Sequence, residues 1–136
     1  MKTRALLCVD DDLGILEFYE TLLASEGYEV LLARDARQAL ELFDARKDEI
    51  SAVMSDYSMP EINGLELAAE LKRRDPRLPV ILISGCQPLL PENHRVDAFL
   101  PKGASLETIL NQIEALVNRN GAGQIALSKA AAAAAT

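Results

Sequence analysis

The stretch ALLCVDDDLGILEFYETLLASEGYEVLLA, residues 5–33, contains one full period of the pattern that decides the fold. It opens on an unbroken apolar run, Ala5–Val9, and passes through Asp10, Asp11 and Asp12. It then enters a segment, Leu13–Glu26, whose Leu16, Tyr19, Leu22 and Leu23 share one helical stripe. A second apolar run follows at Tyr28–Ala33. Runs without in–out alternation suit parallel strands that are covered on both faces. Further strand-like runs lie at Ala52–Ser55, Val80–Ser84 and Ala98–Leu100. Amphipathic stretches lie between and after them at Ala36–Arg46, Gly64–Arg74 and Leu106–Asn118. Strand–helix alternation of this kind predicts an α/β fold: a doubly wound, five-stranded parallel sheet with right-handed crossovers and about five helices.

Two places break the rhythm. Between the fourth and fifth strands runs GCQPLLPENHRV, residues 85–96, with Pro88 and Pro91 where a helix is due. Proline inside a helix costs about 3 kcal/mol and removes a backbone bond, so a shortened or irregular fourth helix is expected, at most a short one near Pro91–Arg95. Beyond the last helix, Gly121 and Gly123 flank Ala122, and Ala130–Ala135 is an unbroken alanine run with nothing to pack against. The expected organisation is one domain over residues 1–120 and a disordered or non-native Gly/Ala-rich tail over 121–136.

The chain has 136 residues, 49% hydrophobic but only 4% aromatic and without Trp, so its core is aliphatic and Ala-rich. A net charge of −7 argues against direct nucleic-acid binding. The one dense basic run, Lys72-Arg73-Arg74, ends a predicted helix, where cations suit the dipole. Cys8 and Cys86 are too few for a disulfide framework and lack metal-ligand spacing. No window reaches the roughly 18 apolar residues of a membrane span, and the N-terminus has no signal-peptide anatomy. A soluble, cytoplasmic protein is expected.

The chemistry gathers at strand ends. Asp10 and Asp11 follow the first strand, Asp56 the third; Ser84 ends the fourth, and Lys102 follows the fifth. Open α/β sheets bind ligands outside the carboxyl ends of their strands. In the strand order 2-1-3-4-5, strands one and three are neighbours and their carboxylates converge. Three carboxylates that close cannot all stay ionised without help. A divalent cation removes the conflict, and hard oxygen ligands select Mg²⁺. With one lysine and one hydroxyl added, the set suits a phosphoryl group in transfer, and a free carboxylate acting as nucleophile would become an aspartyl phosphate. Other residues read more simply. Asp12 before Leu13 reads as a helix N-cap. His94 reads as a solvated loop residue, Glu61 and Glu66 as solvated faces, and Asn63-Gly64 as a turn with glycine at positive φ.

The stretch DYSMPEINGLEL, Asp56 through Leu67, resembles the phosphoacceptor signature of response regulator receiver domains, with Met59, Pro60, Gly64 and Leu67 at the family's positions. CVDDD, Cys8 to Asp12, resembles the family's acidic pair, and VILIS, Val80 to Ser84, its hydroxyl-bearing strand. The likeness covers Arg4 to about Asn118. It implies the flavodoxin-like, CheY-like fold and a part in two-component signalling. Asp56 would accept the phosphoryl group from a sensor histidine kinase or phosphotransfer protein. Asp11 and Asp56 would ligate Mg²⁺ (Mn²⁺ as a substitute) with the Ser58 backbone carbonyl, and Asp10 would hold a metal-bound water. Lys102 would pair with phosphoryl oxygens, Ser84 would swing toward them, and Phe99 would be the rotamer switch.

Some positions depart from the family pattern. Lys102 sits between Pro101 and Gly103 instead of preceding a proline. Phe99 has no ring hydroxyl, and the chain from Ser84 to Lys102 is about one helical turn short. An aspartyl phosphatase would want a second Asp where Ser58 stands, and a nucleotide-binding relative would want a Gly/Ser/Thr-rich loop where the three aspartates stand. The expected protein is a phosphoacceptor switch, not an enzyme beyond weak self-phosphorylation and self-dephosphorylation. It would be a monomer or weak homodimer with no membrane association, reporting to a protein target.

Overall fold

Every residue of β1 (Ala5–Val9) is buried, yet neighbours face opposite ways. Ala5, Leu7 and Val9 enter one core, and Leu6 and Cys8 enter another. A strand reaches that state only with helices on both sides of its sheet. The structure, a computed structural model, describes residues 5–85 and 90–121, with side chains described as far as Asn118.

In chain order β1 is followed by α1 (Leu13–Ala24), β2 (Glu29–Ala33), α2 (Ala36–Arg46), β3 (Ile50–Asp56), α3 (Gly64–Arg74), β4 (Val80–Ser84), β5 (Ala98–Pro101) and α4 (Leu106–Gly121). The five strands are parallel in the order β2-β1-β3-β4-β5. One core takes Ala36, Ala39 and Phe43 from α2 with Leu67, Ala68 and Leu71 from α3. The other takes Leu16 and Leu23 from α1 with Ile109, Ile113, Leu116 and Val117 from α4. Each fully buried Leu, Ile or Phe contributes about 1.5–3 kcal/mol, so two aliphatic cores suffice without tryptophan. β2, at an edge, is less enclosed: Val30, Leu31 and Leu32 are only half-buried.

The doubly wound sheet and its order agree with the sequence reading, with differences in detail. The described residues form four helices instead of about five. Between β4 and β5, residues 90–97 form no helix; a turn closed by the His94 N–H donating to the Pro91 carbonyl (3.1 Å) takes its place. Pro88 and Cys86 lie outside the described residues, as do residues 122–136 of the expected tail. His94 is exposed, as read, and its Nδ1 accepts from the Val96 N–H at 3.2 Å. Lys72 departs from its basic neighbours. Its ammonium is buried against Asp97 at 2.6 Å, and the same Asp97 oxygen accepts the Val80 N–H at 2.8 Å, which ties α3 to the starts of β4 and β5. Lys72 is therefore an internal clamp, whereas Arg73 and Arg74 do lie at the helix end facing solvent.

One further reading gains a role and another changes. Glu66 is exposed, as read, and also caps a helix. Its carboxylate accepts the Asn63 N–H while the Asn63 side chain accepts the Glu66 N–H, a reciprocal cap on α3. Gly64 does not have positive φ, unlike Gly27 (φ 94°). It is required because α3 begins hard against β3: a Cβ at residue 64 would strike the Asp56 carbonyl, lie 2.9 Å from the Tyr57 Cα and 3.0 Å from Leu82. The first two obstacles are backbone and cannot move aside. Gly64→Ala is therefore expected to lower stability by about 1–3 kcal/mol in urea denaturation. A variant within about 0.5 kcal/mol of wild type would contradict this close approach.

Candidate functional site

The sheet register assembles the site. Val9 pairs with Ser55, so the next residues, Asp10 and Asp56, leave the sheet side by side. Asp56 pairs with Ile83, and the Tyr57 N–H donates to the Ile83 carbonyl at 2.8 Å. Ser84 pairs with Pro101, and the Lys102 N–H donates to the Ser84 carbonyl at 2.9 Å. The Lys102 side chain then reaches back across β4, placing Nζ 3.4 Å from Asp56 Oδ2. Carboxylate oxygens of Asp10, Asp11 and Asp56 all lie within 4.8 Å of one another, close enough to share a metal ion. Asp10 and Asp56 are 2% and 4% exposed while Asp11 is open to solvent, so the cluster is a buried pair with an exposed third member.

Backbone groups hold this cluster. Asp10 Oδ1 accepts the Asp12 N–H at 2.9 Å, and Asp12 in turn caps α1 by accepting the Gly14 and Ile15 N–H groups. The capping role read for Asp12 is what the structure shows. The Ser58 N–H donates to Asp56 Oδ1 at 3.4 Å. Ser84 is buried at the end of β4, where strand alternation puts it with Val80 and Leu82 on the α2/α3 face. Phe99, half-buried on β5, packs on that same face. Asp56, alternating with Ala52 and Met54, belongs to the α1/α4 face. The structure thus brings Asp10, Asp11, Asp56 and Lys102 into one constellation, with Ser84 at the end of the neighbouring strand β4 and Phe99 on β5, both on the α2/α3 face.

Crowding registers in the proton affinities. Burial, then the Asp56 and Asp11 charges, raise Asp10 from the ordinary 3.8 to about 6, against the opposing pull of the Asp12 N–H and Lys102. Tyr19, half-buried on α1, is pushed up to about 12, chiefly by burial and then by the Asp10 charge. Cys8 is pushed to about 12 by complete burial in the core, so it is an inert thiol.

Sequence reasoning did not foresee the part that Gly64 and Glu61 play here, and it missed Arg34. Gly64 approaches the Asp56 carbonyl, a contact that no periodicity encodes. Glu61 occupies the left-handed region at φ 68°, unusual for a non-glycine, in the loop that follows Asp56. Arg34 follows β2 and lines an open cleft beside Asp11. Its signal was available, since it too stands just past the carboxyl end of a parallel strand.

The doubly wound parallel sheet carries an acidic cluster and a reaching lysine at its carboxyl edge. Residues 6–114 match the response regulator receiver domain, and the chain belongs to that family. Response regulator MprA of Mycobacterium leprae is 33% identical over 118 residues, covering 84% of this chain and 51% of the relative. Transcriptional regulatory protein GlrR of Escherichia coli is 36% identical over 83 residues, covering 61% of this chain and 18% of the relative. The chain therefore spans about half, or less, of the length of these curated relatives. Among solved structures, a response regulator receiver domain protein of Clostridium thermocellum superposes with a TM-score of 0.81 at 28% identity, covering 85% of this chain and 95% of that one. Response regulator protein TrrA of Thermotoga maritima, in complex with Mg²⁺–BeF, superposes with a TM-score of 0.76 at 27% identity, covering 85% and 99%. No helix among the described residues is long and apolar enough to cross a membrane.

The Asp10 shift sets a pH dependence. The folded state holds this proton more tightly than the unfolded chain does, so its contribution is full below about 3.8 and is lost as pH rises through about 6. In metal-free buffer Asp10→Asn is expected to gain stability relative to wild type across that window, by at most about 3 kcal/mol. Parallel stability curves for the two proteins in EDTA would contradict the shift.

Proposed function

We propose that this chain is a phosphorylation-controlled switch in which Asp56 accepts a phosphoryl group from a sensor histidine kinase or phosphotransfer protein. The observation that carries this reading is the Lys102 ammonium 3.4 Å from Asp56 Oδ2, within a cluster of three mutually close carboxylates. Asp10, Asp11 and Asp56, with the Ser58 backbone carbonyl, would hold Mg²⁺ or Mn²⁺. The donor set is all oxygen, and burial together with the Asp56 and Asp11 charges disfavours an ionised Asp10, a cost that a bound cation would offset. A bound Mg²⁺ supplies charge neutralisation for carboxylates and phosphoryl oxygens alike.

The remaining work falls to the chain's own residues. An Asp56 oxygen bonds phosphorus as the P–N bond of phosphohistidine breaks, and the imidazole nitrogen leaves with the electron pair. Asp56 is held for this by β3 and by the Ser58 N–H. Lys102 meets the incoming phosphoryl charge. Ser84 and Phe99, on one face of neighbouring strands, would report its arrival by rotating together toward the site. The chain acts as an acceptor and signal, with self-phosphorylation and self-dephosphorylation as its only turnover.

A protein donor must dock over this edge, and the surface supports that. The exposed large apolar residues among those described are Leu13 (45%), Ile62 (36%) and Phe18 (59%). Leu13 opens α1 directly after Asp12, Ile62 precedes the cap of α3, and Phe18 lies five residues beyond Leu13 on α1. Apolar residues around a charged centre suit a protein partner better than free solvent. Downstream output belongs to the whole protein. Relatives named as transcriptional regulators raise DNA control as one such output, while the net charge of −7 speaks against this domain touching DNA itself.

Incubation with acetyl phosphate and Mg²⁺ is expected to add one hydroxylamine-labile phosphate, seen by intact mass spectrometry. Asp56→Asn should lose the adduct, and so should wild type in EDTA. Equal labelling of Asp56→Asn would sink the assignment.

A further inference from the structure

Beside the acidic cluster lies an open cleft of about 400 Å³, lined by Asp11, Arg34, Asp35, Gln38, Pro60 and Glu61. Three of its six lining residues are carboxylates and one is basic. The cleft is continuous with the site through Asp11, the solvent-open member of the cluster. Its near wall is fixed by the sheet. Val9 pairs with Ala33 and the Asp10 N–H donates to the Ala33 carbonyl at 3.1 Å, so Arg34 leaves β2 directly alongside Asp10 and Asp11. The turn that presents it is pinned twice. The Arg34 N–H donates to Gln38 Oε1 at 2.7 Å, and the Asp35 carboxylate accepts the Gln38 N–H at 2.8 Å to cap α2. Glu61, held at φ 68°, forms part of the opposite wall.

Among the described residues no carboxylate forms an ion pair with the Arg34 guanidinium, although Asp11, Asp35 and Glu61 line the same cleft; only its backbone N–H is engaged. A cation left unpaired among three carboxylates is available to an incoming anion. A phosphodonor is such an anion, and it must approach a domain of net charge −7 through an edge crowded with aspartates. Resting on the reading of Asp56 as phosphoacceptor, we infer that Arg34 is a donor-positioning residue. It attracts dianionic phosphodonors into the cleft beside Asp11 and so sets which donors phosphorylate the domain fastest. It takes no part in the bond exchange. With acetyl phosphate, an Asp56 oxygen bonds phosphorus, the P–O bond to the acyl group breaks, and acetate leaves with the electron pair.

Steering of this kind changes encounter, is screened by salt and grows with donor charge. The test is the second-order rate constant for phosphorylation, followed by intact mass in Mg²⁺, for wild type, Arg34→Ala, Arg34→Glu and Arg34→Lys. Two donors are compared: acetyl phosphate, a dianion at neutral pH, and phosphoramidate, predominantly a monoanion. At low salt, Arg34→Ala is expected to react about five-fold more slowly with acetyl phosphate, and Arg34→Glu more slowly still. Arg34→Lys should stay near wild type. The deficit should shrink below about two-fold in roughly 0.5 M salt, and should be smaller for phosphoramidate at every salt. Dephosphorylation of the isolated phosphoprotein should be unchanged. Equal rates for wild type and Arg34→Ala at low salt would overturn the inference. So would an equal loss with both donors that salt does not relieve, since that marks a structural effect. In both cases a labelled wild type leaves the assignment of Asp56 standing, whereas a wild type that no donor labels overturns both.

Discussion

Holding three carboxylates at one edge of a sheet is the constraint around which the rest of this domain is arranged. Asp10 and Asp56 are almost wholly buried, Asp11 stands beside them, and their oxygens lie within 4.8 Å of one another. Burial disfavours the ionised form of these groups and their mutual repulsion adds to it, so Asp10 is raised to about 6 by burial first and by the Asp56 and Asp11 charges after it. What offsets it is local and specific: the Asp12 N–H on Asp10, the Ser58 N–H on Asp56, and the Lys102 ammonium. These three groups follow β1, β3 and β5 and are far apart in sequence. The parallel register is what brings them together.

The cores serve that register. β1 and β3 are buried on both faces, so a slip of one residue would exchange the two cores and move Asp56 away from Asp10. Gly64 lets α3 start against the Asp56 carbonyl, so the segment after the acceptor turns back at once. The Lys72–Asp97 pair does a related task at the opposite end of the sheet, anchoring the start of β5 where the described residues of the preceding connection form a turn and no helix. Burying such a pair carries a desolvation cost, and removing either partner alone leaves a stranded charge.

Much of this was legible beforehand because it rests on periodicity and strand ends. Ala5–Val9, Val80–Ser84, Ala36–Arg46 and Gly64–Arg74 have the boundaries their patterns predict. The placing of acidic residues, serine and lysine at strand ends follows from alternation alone. What escaped notice depends on three-dimensional neighbours. Gly64 looked like a turn glycine, but its need is set by a carbonyl eight residues earlier. Lys72 looked like its basic neighbours, and only the position of Asp97, 25 residues on, makes it internal. Glu66 and Arg34 are exposed charges by any local measure. One becomes half of a cap and the other the basic wall of a cleft through contacts that hydrophobic patterning does not carry.

The central claim is that the carboxylate cluster destabilises the empty domain and is relieved by a divalent cation. Thermal unfolding of wild type and Asp11→Ala, each in EDTA and in saturating Mg²⁺, tests it most directly. A ligand that binds only the folded state at a hundred times its Kd contributes about 2.7 kcal/mol, enough to read as a clear shift in Tm. The account predicts that metal-free Asp11→Ala melts above metal-free wild type, and that Mg²⁺ raises the Tm of wild type while leaving the variant where it was. If Mg²⁺ stabilises Asp11→Ala as much as wild type, the cation does not sit among these carboxylates and the account is wrong.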